Sequence, residues 1–105
     1  MNIVILYGKI IKEPEIKYIG DGTLKIRLLV KTTEVFTKNG EKQYKDEISN
    51  VIMMGPKWEG FAPRLATSKG SNVIVNGKIT NREYIGEDGV KRYLVEVKAE
   101  TVNLV

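Results

Sequence analysis

The chain has 105 residues, 42% hydrophobic and 29% charged, with a net charge of +4; this suffices for one domain with a core and is too little for two. No apolar run approaches the roughly 18 residues of a membrane-spanning helix. The lack of cysteine and histidine excludes disulfides, thiolate zinc sites, thiol nucleophiles and the commonest general base. The 13 acidic residues lie scattered among lysines without the spacing of a calcium loop. A cytoplasmic, non-enzymatic protein that needs no metal or cofactor is expected, and its basic balance weakly favours a polyanionic partner.

The opening Ile3-Val4-Ile5-Leu6-Tyr7 lacks the basic start of a signal peptide and meets Gly8-Lys9 after a few apolar residues, so it reads as a strand. It is apolar on both faces. In a one-layer barrel Ile3, Ile5 and Tyr7 would stand in water, and a partner subunit is the expected cover, a loop or helix being the alternative. Gly20-Asp21-Gly22 marks a turn. From 23 to 31, Leu24, Ile26, Leu28 and Val30 alternate with Lys25, Arg27, Leu29 and Lys31, the pattern of a half-buried strand. After the turn Asn39-Gly40, a third strand carries Ile48, Asn50, Ile52 and Met54 on one side and Ser49, Val51 and Met53 on the other; periodicity does not say which row is core.

Helical spacing occurs once, over Trp58 to Thr67, where Trp58, Phe61 and Leu65 would face a core. Pro56 suits its start, and Pro63 keeps it short or kinked. Past Lys69-Gly70-Ser71, residues 73–79 place Val73, Val75, Gly77 and Ile79 inward and Ile74, Asn76 and Lys78 outward. Past Asp88-Gly89, residues 93–99 alternate through Tyr93, Val95, Val97 and Ala99. Three strands, a short helix and two strands predict an all-β fold: a five-stranded antiparallel Greek-key barrel of the oligonucleotide-binding (OB) type, one domain over 1–105, with the helix between strands 3 and 4.

Holding an unpaired polynucleotide without reading its bases takes flat side chains for stacking and cations that follow the phosphates. The row Asn76, Lys78, Thr80 continues through Arg82 to Tyr84, on an arm that turns at Asp88-Gly89 and returns through Lys91 and Arg92. A second row, Lys25, Arg27 and Lys31, leads to Phe36, which lies beyond the regular alternation and is expected to project. The alternative reading has Phe36 and Tyr84 capping the barrel and the lysines serving solubility. Trp58 is a candidate stacking platform, but its spacing with Phe61 and Leu65 favours packing; Tyr18 and Tyr44 stay unassigned.

Several segments, in this order, resemble the bacterial and phage single-stranded DNA-binding proteins: Asn2–Lys9, Glu13-Pro14-Glu15-Ile16-Lys17-Tyr18, Gly20-Asp21-Gly22, Lys69-Gly70-Ser71, Gly77-Lys78-Ile79, Arg82-Glu83-Tyr84, Asp88-Gly89 and Arg92–Val97. The resemblance implies an OB barrel that coats single-stranded DNA in replication, recombination and repair, assembled as a homotetramer or, failing that, a dimer. It carries base stacking onto Phe36, Ile48, Met54 and Tyr84, of which only Phe36 and Tyr84 are aromatic, and phosphate contact onto Lys17, Lys69, Arg82 and Arg92. It also assigns the row Ile48, Asn50 and Met54 to the DNA face, with Asn50 standing where an arginine is common. The family's cellular members add a flexible linker and an acidic recruiting tail; this chain ends at Thr101–Val105 without them, so no tail-mediated recruitment is expected. Three rivals remain: a protein-binding adapter resembling primosomal replication protein N, a nuclease on the same barrel, and an RNA binder.

Overall fold

The computed structural model, which describes all residues from 1 to 105, contains six extended segments: β1 (Val4–Ile10), β2 (Glu15–Ile19), β3 (Thr23–Lys38), β4 (Glu41–Met54), β5 (Asn72–Ile85) and β6 (Lys91–Leu104). Between β4 and β5 lie a 3-10 turn, Pro56–Trp58, and a short helix α1, Ala62–Leu65. No helix is long and apolar enough to cross a membrane.

β1 and β2 both pair with β3, at Ile10↔Val30 and Glu15↔Arg27, so they are two halves of one barrel strand broken over residues 11–14. Counted this way, five strands close in the circuit β1-β5-β6-β4-β3 and back to β1. Four seams are antiparallel, and the β4–β6 seam, Val51↔Val97 and Ile52↔Lys98, is parallel. The antiparallel expectation is refined at that seam alone: an odd number of strands cannot alternate direction all the way round a closed ring.

The alternation read from the sequence sorts the core. Leu24, Ile26, Leu28 and Val30 of β3 and Val73 and Val75 of β5 are buried. On β4 the inward row is Val51 and Met53. Trp58 and Leu65 are buried and Phe61 packs against them, as their helical spacing predicts, but the expected helix over Trp58–Thr67 is divided. Pro63 has no N–H and can occupy only the first turn of a helix, so α1 begins at Ala62; its short ladder runs from Leu65 N–H to Phe61 O (3.2 Å) and from Ala66 N–H to Ala62 O (2.9 Å).

Three residues of the inward pattern lie outside the core: Ile79, Tyr93 and Val95 are exposed. The strands outrun the barrel. Beyond Lys78↔Lys98, β5 and β6 continue as a two-stranded ribbon as far as Ile85↔Lys91, with no opposing layer to cover its inner side. β3 and β4 form a second ribbon ending at Lys38↔Glu41, closed by Asn39 and Gly40 with φ of 53° and 78°, the positive values of a two-residue hairpin turn.

Two glycines fix close backbone approaches. A Cβ on Gly8 would lie 2.3 Å from the Lys31 carbonyl oxygen, where β1 crosses β3. One on Gly77 would lie 2.2 Å from the Lys98 carbonyl, beside the bulge that sets Asn76 opposite Thr101 but Gly77 opposite Ala99. In the β2–β3 turn, the Thr23 hydroxyl donates to the Asp21 carboxylate at 2.7 Å, which holds that carboxyl below its usual pKa.

Candidate nucleic-acid interface

Strand register assembles one continuous outer face. Lys17 of β2 lies opposite Lys25 of β3, Lys25 and Arg27 lie opposite Met54 and Ile52 of β4, and the parallel seam sets Ile52 beside Lys98 of β6. On the β5–β6 ribbon the same face continues through Lys78↔Lys98, Thr80↔Glu96, Arg82↔Leu94 and Tyr84↔Arg92. Five strands, from β2 to β6, thus contribute to a single curved surface.

Two hollows mark that surface. The smaller, about 120 Å³, gathers Lys17, Lys25, Arg27 and Arg82 with Glu15 as its only carboxylate. The larger, about 390 Å³, is lined by Ile52, Met54, Thr80, Arg82, Glu96 and Lys98, among others. Ile52 is buried yet lies outside the core cluster, so it forms an apolar floor on the outer face; Met54 and Ile48 are exposed on the same parity.

The arginines are held in place. Arg27 donates from Nε and Nη2 to Asn50 Oδ1, at 3.0 and 2.7 Å, and from Nη1 to Glu15 at 3.4 Å. Arg82 donates to Glu96, and Arg92 Nη2 to Asp88 at 2.5 Å. Lys17, Lys25, Lys31, Lys69 and Lys78 take part in no ion pair, so their charges stand free on the surface.

The aromatic candidates divide. Tyr84, 42% exposed, stands directly across from Arg92 and on the same side of β5 as Arg82. Phe36, 40% exposed, projects from the β3–β4 ribbon as expected, but opposite Gln43 and on the other parity from Arg27 and Lys31. The aromatic that continues the outer face of this ribbon is Tyr44, opposite Val35 and in the row of Ile48 and Met54. Two cations also stand apart from the basic hollow: Lys31 sits with Tyr7, Lys9 and Asn72 in the cleft between β1 and β3, and Lys69 lies on the turn whose Gly70 bonds to Ile10.

Sequence reasoning passed over Lys98, Glu96 and Ile52 as members of this face. The signal was available: from the hairpin at Asp88-Gly89 as far as Lys98 the even-numbered residues of β6 fall opposite those of β5, the bulge at Gly77 shifting parity only beyond Ala99, and Ile52 shares the row of Ile48, Asn50 and Met54.

A separate apolar surface lies on β1. Ile3, Ile5 and Tyr7 are exposed, and Ile74, opposite Tyr7, extends the patch. From Val4 to Gly8, β1 is paired only on its β5 side, since its register with β3 begins at Lys9. No three His, Cys, Asp or Glu side chains gather as a metal-holding group.

The sequence model of the Single-strand binding protein family matches residues 1–105. The chain belongs to that family. Among the relatives of this Single-strand binding family member is Single-stranded DNA-binding protein 2 of Clostridium acetobutylicum, 35% identical over 103 residues, an alignment that covers 97% of this chain and 74% of the relative. The Single-stranded DNA-binding protein of Lactiplantibacillus plantarum is 35% identical over 107 residues, covering 99% of this chain and 50% of the relative. The fold is shared with the single-stranded DNA binding protein of Thermus aquaticus (TM-score 0.80, 24% identity, 100% of this chain and 50% of that one). It is shared too with Plasmodium falciparum SSB in its complex with ssDNA (TM-score 0.84, 19% identity, 100% and 93%).

Proposed function

We propose that the chain binds single-stranded DNA without reading its sequence, keeps it unpaired, and so serves replication, recombination and repair. The observation that carries this reading is the convergence of Lys17, Lys25, Arg27 and Arg82 on one hollow, with Tyr84 and Arg92 farther along the same face. Cations placed to follow phosphates, beside an exposed ring and an apolar floor, are the two ingredients of sequence-tolerant single-strand binding. Of the residues expected from sequence, Lys17, Lys25, Arg27, Lys78, Arg82, Arg92, Tyr84, Met54 and Ile48 fit this face by register. Lys31, opposite Ile48 and in the row of Arg27, has the register of this face too but lies at its β1 end beside Lys9; Phe36 belongs to the reading only as a platform at the ribbon tip, and Lys69 only as an outlying contact for a strand that wraps past the barrel. The same reading takes the chain to be a homo-oligomer joined through Ile3, Ile5 and Tyr7, a tetramer before a dimer.

Trp58 is buried in the core, so its emission is a poor reporter, and the test is the anisotropy of a labelled oligo-dT against a matched duplex at two salt concentrations. The single strand is expected to bind far more tightly, with affinity falling as salt rises because phosphate neutralisation releases counterions. Tyr84→Ala is expected to cost about 1–3 kcal/mol of binding. Equal affinity for the duplex, together with an unchanged Tyr84→Ala variant, would defeat the proposal.

A further inference from the structure

Glu96 is the one charged residue that the fold buries, at 5% exposure. It is not a core residue: its neighbour Val97 faces inward, so Glu96 lies on the outer face in the row of Lys98. Its carboxylate receives Arg82 side-on, Nε to Oε1 at 3.2 Å and Nη2 to Oε2 at 3.5 Å. The contact runs diagonally across the β5–β6 ribbon, where Thr80 is opposite Glu96 and Arg82 opposite Leu94. Arg82 itself is half exposed and lines both the basic hollow and the larger one beside it.

A buried carboxylate paired with a cation gives little stability over an apolar side chain of the same shape, so the effect of this one falls on its partner. A guanidinium has five N–H donors in a rigid fork. Glu96 engages two and fixes the plane, leaving three free at the hollow that Lys17, Lys25 and Arg27 share. An arginine already fixed loses less rotamer freedom when it meets a phosphate.

We propose that Glu96 is a positioning residue that holds Arg82 ready for a DNA phosphate where the two hollows meet. The inference rests on the single-strand reading above and adds a sign that plain electrostatics does not. Removing a negative charge from a DNA-binding face should tighten binding; removing the clamp on Arg82 loosens it.

The experiment measures oligo-dT binding across a salt series for the unmodified chain, Glu96→Gln, Arg82→Ala and the double variant. Glu96→Gln is expected to weaken binding about tenfold, the scale of one charge-assisted contact, and to have no further effect when Arg82 is already alanine. Tighter or unchanged binding by Glu96→Gln would overturn the proposal, and so would a loss that persists without Arg82. Should Glu96→Gln fail to fold by circular dichroism, Arg82→Lys decides, because lysine keeps the charge but cannot make the two-point contact: a comparable loss supports the clamp, and unmodified affinity overturns it. If the unmodified chain itself does not bind oligo-dT, the single-strand reading falls too, an outcome distinct from failure of the variants alone.

Discussion

Asn50 accepts both the Nε and the Nη2 hydrogens of Arg27, so this asparagine orients a cation on the neighbouring strand. Asn50→Ala removes that acceptor and leaves Arg27 with only the longer contact to half-exposed Glu15. A stability loss of about 0.5–1.5 kcal/mol is expected, the usual net worth of such a bond. Single-strand affinity should fall less than in Arg27→Ala, because the charge remains. Urea denaturation and oligo-dT anisotropy of the two variants check this, and an Asn50→Ala chain as weak as Arg27→Ala would mean that Asn50 meets the DNA itself. Side-chain partnerships of this kind are invisible in sequence, since Arg27 and Asn50 meet only through the β3–β4 register.

At the scale of elements, more was legible. Strict alternation in β3 identified Leu24, Ile26, Leu28 and Val30 as core, and three-and-four spacing identified Trp58, Phe61 and Leu65 as the plug, because burial on one side of a strand or turn imposes its period directly. The reading failed at Ile79, Tyr93 and Val95, where the strands continue as a ribbon: alternation reports a strand's two faces, not whether anything covers them. It also could not show where strands cross. Gly8 and Gly77 have no room for a side chain, and the nearest atom in the way at each is a backbone carbonyl oxygen, which cannot swing aside. Gly8→Ala must therefore push β1 off β3 at the seam that closes the barrel, and a loss of about 1–3 kcal/mol is expected, as for overpacking elsewhere. Gly60, with open space around its Cβ position, provides the control, and alanine there should stay within about 0.5 kcal/mol. Equal urea midpoints for the two variants would mean that the β1–β3 crossing is not a fixed contact.

For the whole molecule, shape bears on what covers β1. A compact monomer of 11.8 kDa would expose roughly 5,900 Å² with a radius of gyration near 13 Å, whereas this chain exposes 7281 Å² and has a radius of 15.6 Å. The excess belongs to the two ribbons and to a strand whose outer face shows Ile3, Ile5 and Tyr7 to solvent. The ribbons also expose apolar side chains, Ile79, Tyr93 and Val95 among them, but intersperse them with charges; the β1 patch has no charge between Ile3 and Tyr7, and its unpaired edge from Val4 to Gly8 adds free backbone donors and acceptors of the kind that recruit another strand. A second copy offers both remedies at once, because a two-fold axis sets like patches together and can pair like edges. Sedimentation at micromolar concentration should therefore report a mass above that of one chain. Ile5→Lys, at a position 67% exposed, should shift the chain toward monomer without lowering its urea midpoint below that of the separated subunits. Because a long strand held by several barrels at once gains from effective concentration, the same variant should weaken binding of long oligo-dT more than of short. An unmodified chain that sediments as a monomer, or an Ile5→Lys chain that assembles as before, would leave the apolar face of β1 without the role argued for it.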